Sequence, residues 1–143
     1  MPIASGINHI ATLTTDMDRT VGFYEQVFEA VVTHEVARTD DHPWMKVVDL
    51  GGGAALNVFE VPDEAMIGER RRIGGRRIGG RGAIDHFGIA VASPAVLERV
   101  RARLGPAGAQ EVGEIQPLGG ELSLFFRDPD GMELEVCCAG TAS

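Results

Sequence analysis

The chain has 143 residues, 44% of them hydrophobic, and a formal net charge of −8 at pH 7; this length suits one domain, or two small halves sharing a core. The negative balance argues against nucleic acid and anionic membranes as partners, and no apolar run approaches the roughly 20 residues a membrane helix needs. The opening MPIASGINHI has neither the basic start nor the apolar run of a secretory signal, so a cytoplasmic protein is expected.

Taken in chain order, the first element is a predicted strand from Ile7 to Thr14, headed by His9. Asp16 then offers a side-chain cap for a helix beginning at Met17. Met17, Val21, Tyr24, Val27 and Phe28 recur at spacings of three and four, so that helix carries one apolar stripe toward a core. Glu29-Ala30 ends it. Extended segments are expected at Val31 to Val36, Met45 to Leu50 and Ala54 to Val61.

From Pro62 to Gly82 the periodicity fades. This stretch holds Arg70, Arg71, Arg72, Arg76, Arg77 and Arg81 and a perfect duplication, RRIGG followed by RRIGG. It lacks the lysine or glycine turn of a phosphate-binding loop, and reads as a solvated Arg/Gly-rich linker. Its length and glycine content let the flanking modules pair within one chain or exchange between two. A homodimer is expected.

The second half repeats the first. Asn8-His9-Ile10-Ala11 returns as Asp85-His86-Phe87-Gly88, opening a strand from Ile84 to Ala92. Ser93 and Pro94 announce a helix whose stripe is Leu97, Val100 and Leu104, and LGPAGA stops it. Strands are predicted at Gln110 to Ile115, Leu122 to Arg127 and Met132 to Cys138, the last two joined by a tight turn at DPDG. The fold class is therefore α+β, with βαβββ modules at residues 1–61 and 83–143 around a linker at 62–82, forming curved mixed sheets around a cleft.

Strand parity carries the chemistry, because successive side chains point to opposite faces of a sheet. Phe87, Ile89 and Val91 form a face for the helix, which leaves His86 with the small residues Gly88 and Ala90. His9 and Ala11 do the same in the first half, although Leu13 is larger. Glu133, Glu135 and Cys137 alternate with Leu134, Val136 and Cys138; Ala55, Asn57 and Phe59 alternate with Leu56 and Val58. Asn57 lies 48 residues after His9 and Glu135 lies 49 after His86, so the repeat matches His9 with His86 and Asn57 with Glu135. Two imidazoles and one carboxylate aimed at a common axis suit a divalent cation: Fe, Mn, Ni, Co or Zn. Such a set leaves coordination positions open for a substrate, and Asn57 can add a carbonyl oxygen or orient a water.

The segments NHIATLTTDMDRTVGFYEQVF, IDHFGIAV and FFRDPDGMELEV, which follow one another over nearly the whole chain, resemble the vicinal oxygen chelate superfamily. That superfamily includes glyoxalase I, extradiol dioxygenases, fosfomycin-resistance proteins, methylmalonyl-CoA epimerase and bleomycin-resistance proteins. The resemblance implies a metal held by His9, His86 and Glu135. Glu135, the candidate catalytic residue, is either a ligand only or a ligand that leaves the ion transiently to act as a base. Glyoxalase I has a glutamate where this sequence has Asn57, so ordinary glyoxalase I activity is not expected. Glu60 does not replace it, because three positions along a strand reverse the face.

The expected activity is that of a metal-dependent dioxygenase, lyase, isomerase or transferase acting on a small oxygen-chelating molecule. The alternative is a metal-free protein sequestering a drug or metabolite. Trp44, Phe59 and Phe125 are candidates for lining the cleft, with core packing the competing explanation. Glu133 reads as a solvated strand end or a support for Glu135. His34 and His42 are assigned to solvent. Cys137 and Cys138 read as reduced strand residues, since adjacent cysteines form neither a disulfide framework nor a CxxC motif.

Overall fold

The structure, a computed structural model, describes residues 2–3, 6–62, 71–73, 76–78, 86–118 and 120–140, with the backbone alone at 71–73 and 76–78. The chain divides into two units, Met1–Ala65 and Met66–Ser143.

In the first unit, β1 (His9–Thr14) leads into α1 (Met17–Phe28), followed by β2 (Val31–Val36), β3 (Met45–Gly51) and β4 (Ala54–Glu60). Asp16 stays extended and its carboxylate accepts the Arg19 N–H at 3.0 Å, one of the donors that a helix start leaves unpaired. At the other end Glu29 takes a left-handed conformation, φ 56°, and its N–H returns to the Glu25 carbonyl at 3.1 Å. Between them Met17, Val21, Tyr24 and Val27 are buried as the stripe requires, and Thr20 and Phe23 join them. α1 packs on β3 and β4, where Val48, Leu56 and Val58 are fully buried. Each such side chain contributes about 1.5–3 kcal/mol of apolar burial.

The second unit carries a short antiparallel strand pair, β5 (Arg71–Ile73) and β6 (Arg76–Ile78), and then repeats the plan with β7 (Phe87–Ala90), α2 (Pro94–Leu104), β8 (Gln116–Leu118), β9 (Glu121–Arg127) and β10 (Glu133–Ala139). Ser93 caps α2 by accepting the Val96 N–H at 3.3 Å, and Pro94 stands at the first helical position. α2 lays Leu97, Val100 and Leu104 toward β9 and β10.

The two main sheets have the same topology. Strand order is β1-β4-β3-β2 in one and β7-β10-β9-β8 in the other, with the outer first strand parallel to its neighbour and the remaining pairs antiparallel. The register proves the duplication at residue level: Ala11 pairs with Asn57 in β1–β4, and Gly88 pairs with Glu135 in β7–β10. His9 and His86 each stand two residues before those pairs.

Two segments differ from the sequence reading. The predicted strand at Gln110 to Ile115 is an irregular run tied to β9 at two points, where Gln110 bridges Arg127 and the Gly113 N–H donates to the Phe125 carbonyl at 2.8 Å. Glu111 is left-handed there, φ 51°, and a side chain on Gly113 would come within 3.2 Å of that carbonyl, so regular pairing starts only at Gln116. The segment read as a linker of little periodicity contains the antiparallel pair β5–β6, with Arg72 opposite Arg77 and Ile73 opposite Arg76. Ile84 and Asp85, predicted to open β7, lie outside the described residues, as do Arg70 and Arg81.

Candidate functional site

In the second module the two polar positions meet. β7 and β10 are adjacent parallel strands, and His86 Nε2 lies 3.3 Å from Glu135 Oε2, the side chains being 28% and 16% exposed. The other carboxylate oxygen, Oε1, accepts a hydrogen bond from Ser123 Oγ at 2.6 Å. Phe125, directly across β9 from Glu135, presents its ring edge-on to the imidazole, centroids 5.4 Å apart and planes at 73°. Gly88 and Ala90 are exposed on this face. An added methyl at Gly88 would meet Cys137 Sγ and the Glu135 carbonyl at 3.9 Å, ordinary contact, so the glycine keeps the face open without being sterically required.

The alternation along β10 is as the sequence implies. Leu134 and Val136 are fully buried and Cys138 nearly so, while Glu133, Glu135 and Cys137 are half-buried on the other face. Burial raises the Cys137 thiol above its ordinary range, reinforced by the Glu121 and Glu135 carboxylates. It is thus held protonated near neutrality and is a poor nucleophile.

Glu133 is not the solvated strand end that its position implied. It stands opposite Arg127 in the register, 3.7 Å from Nη2, with side-chain exposures of 13% and 5%. Arg127 also donates to Glu111 at 2.7 Å and to the Gly131 carbonyl at 2.9 Å. Asp128 Oδ1 accepts the Asp130 and Met132 N–H groups at 2.9 Å. Together these groups fix the DPDG turn, and through it the start of β10.

The first module presents the same face with different chemistry. His9 is exposed, its Nδ1 hydrogen-bonded to Asn8 Oδ1 at 2.8 Å. Asn57 is half-buried on β4 opposite Ala11, with Val47 across β3 where the second module has Phe125. Phe59 follows on the same face, its ring 6.0 Å from that of His42. Trp44 immediately precedes β3. Its indole N–H donates to Glu35 at 2.7 Å, and the Lys46 ammonium lies 5.2 Å from its ring centroid. His34 is exposed on β2.

Glu60, excluded from the site by parity, is committed elsewhere: Oε2 accepts the Met17 N–H at 2.9 Å, and Oε1 pairs with Arg38 at 2.7 Å.

Of the residues singled out in the sequence, the structure therefore brings His86, Glu135 and Phe125 together in the second module, and carries His9, Asn57, Phe59 and Trp44 in the first. Within neither module do the described residues gather three His, Cys, Asp or Glu side chains able to hold a metal ion. Sequence reasoning missed Ser123. Its signal lay in the antiparallel register, since Ser123 reaches Glu135 diagonally, two pairs along β9 from Phe125 and on the same face.

Two βαβββ modules, each with a histidine at the start of its first strand or just ahead of it and a polar residue at the matched place on its central strand, define a glyoxalase-type fold. The family profile of the Glyoxalase/Bleomycin resistance protein/Dioxygenase superfamily matches residues 6–136, and the chain belongs to that superfamily. Among solved structures it is similar to a glyoxylase/bleomycin resistance protein/dioxygenase domain from Frankia sp. EAN1pec, with 24% identity, TM-score 0.74, and 96% of this chain and 99% of that one covered. It is also similar to the fosfomycin resistance protein FosX from Mesorhizobium loti, at 19% identity, TM-score 0.64 and coverage of 97% and 96%. A lactoylglutathione lyase from Agrobacterium tumefaciens matches at 23% identity and TM-score 0.61, with 96% of each chain covered. No curated protein matches. Among the described residues, no helix is long and apolar enough to cross a membrane.

Proposed function

We propose that the chain is a divalent-metal-dependent enzyme acting on a small organic substrate through adjacent oxygens, by dioxygenase, lyase, isomerase or transferase chemistry. The observation that carries this is the His86–Glu135 pair. An imidazole nitrogen and a carboxylate oxygen, 3.3 Å apart on neighbouring strands beside the small residues Gly88 and Ala90, are two donors of a kind that suits Fe, Mn, Ni, Co or Zn. His9, at the matched position of the first module, is the third donor, from the same chain or from a second copy in a homodimer. The donor set fits. When bound, the cation supplies Lewis-acid stabilisation to an oxyanion developing on the substrate.

The chain's own residues then divide the work. His9 and His86 supply nitrogens, Glu135 supplies Oε2 or leaves the cation to serve as the base, and Asn57 offers an amide to a substrate or water oxygen. Phe125, Phe59 and Trp44 give apolar surface to the organic part of the substrate. Fosfomycin resistance and lactoylglutathione lyase activity are named for two of the similar structures, which supports a small oxygen-rich substrate class.

Metal analysis of protein purified without chelator tests this. About one equivalent per chain is expected, and it should be lost in His86→Ala, His9→Ala and Glu135→Ala. One observation favours a second reading, a metal-free sequestering protein: His86 and Glu135 lie close enough to satisfy each other. If the parent protein takes up none of the five metals on reconstitution, the enzyme reading fails and sequestration stands.

A further inference from the structure

We infer that Ser123 is a positioning residue for Glu135, holding its carboxylate with Oε2 turned toward His86 as the leading donor. The inference rests on the proposed metal function for its purpose, and on the second module's own geometry for its substance. Ser123 is fully buried, so its hydroxyl has no water to turn to, and it has one proton to give. That proton goes to Glu135 Oε1 across 2.6 Å, the short distance typical of a hydroxyl bonded to a charged carboxylate. Oε2 is left on the side of His86 Nε2, 3.3 Å away.

A carboxylate with both oxygens available can clasp a cation through either or both, and a bidentate clasp uses a coordination position that a chelating substrate needs. The Ser123 proton takes one lone pair of Oε1 and draws charge from it, so Oε2 is the stronger donor and the bidentate clasp is disfavoured. Phe125 closes on the His86 imidazole edge-on, so both donors of the half-site are held by β9.

The first module supplies an internal control. There the residue matching Glu135 is Asn57, and the residue matching Ser123, two pairs along, is Met45. The hydroxyl is present only in the module that has the carboxylate. A structural hydroxyl serving the sheet alone has no reason to follow the acid in this way.

The test compares the parent with Ser123→Ala, Ser123→Cys and Ser123→Thr, each checked for folding by thermal melting. Cysteine keeps the bulk with a much weaker donor, and carries the test if alanine does not fold. Crystal structures of the metal-free proteins should show the Glu135 carboxylate rotated or split between positions in the alanine and cysteine variants, and restored in the threonine variant. Titration with Co(II), followed by visible absorption, should show a tenfold to hundredfold loss of affinity, the usual cost of removing a group that orients a ligand. The absorption should also shift toward higher coordination number, with threonine again close to the parent.

An unmoved carboxylate in the metal-free variants overturns the inference, as does a parent-like Co(II) spectrum and affinity. If the parent takes up neither Co(II) nor any of the other four metals, the metal reading falls on that result, and the positioning role is decided by the metal-free structures alone.

Discussion

The two modules share strand order, register and helix placement, yet only one of them assembles an acidic half-site. In the second, a histidine, a glutamate and a buried serine converge across β7, β10 and β9. In the first, the matched positions are His9, Asn57 and Met45, and the histidine engages its neighbour Asn8 instead. A duplicated scaffold thus keeps the backbone that aims side chains at one face, while the side chains diverge. The apolar face is under packing constraint in both copies, with Leu56 and Leu134 both fully buried one residue before the polar position. The open face has no such constraint and is where the modules differ.

The strongest way to break this comparison is to remove the polar residue from each copy. Glu135→Ala should abolish stoichiometric metal on elemental analysis, whereas Asn57→Ala should retain it with weaker binding. Equal loss in both would mean that the modules contribute alike and that the asymmetry has no chemical meaning. Asn57→Glu sharpens the point in the other direction. It places a carboxylate opposite Ala11 as Glu135 stands opposite Gly88, and metal affinity by titration should rise.

Next in size is the shared core. Leu56→Ala and Leu134→Ala each delete a fully buried side chain from a central strand, and each should lower unfolding free energy by about 2–5 kcal/mol. Urea denaturation of the two variants should give losses of similar size. A loss confined to one variant would show that only one module is well packed.

The repeat made most of this legible in the sequence. Asn8-His9-Ile10-Ala11 and Asp85-His86-Phe87-Gly88 align the halves, and Asp16 and Ser93 cap their helices as their residue types imply. Parity along β10 correctly separated Leu134 and Val136 from Glu135, because burial on one face imposes a period of two. What escaped was whatever depends on a second strand. Ser123 reaches Glu135, and Arg127 reaches Glu133, only through the β9–β10 register, and nothing in either strand alone sets that register. Gln110 to Ile115 reads as extended from its residue types, but a left-handed Glu111 and the backbone crowding at Gly113 prevent a regular ladder.

The smallest expected effect concerns how each helix start is satisfied, and it tests whether the differing residues compensate one another. In the first module Met17 opens α1 with an N–H that needs an acceptor, and Glu60 on the central strand supplies it at 2.9 Å. The position matching Met17 in the second module is Pro94, which has no N–H to satisfy. The position matching Glu60 there is Cys138, nearly fully buried, so an apolar side chain suffices where no donor waits. Glu60→Ala should accordingly cost roughly 1 kcal/mol, leaving the Met17 N–H without its partner. Its exposed ion pair with Arg38 adds little beyond that. Pro94→Ala should cost only about 0.5 kcal/mol, mostly through the greater freedom of the unfolded chain. Denaturation curves for the two variants rank these costs, and a Pro94→Ala loss as large as that of Glu60→Ala would show that the proline does more than remove a donor.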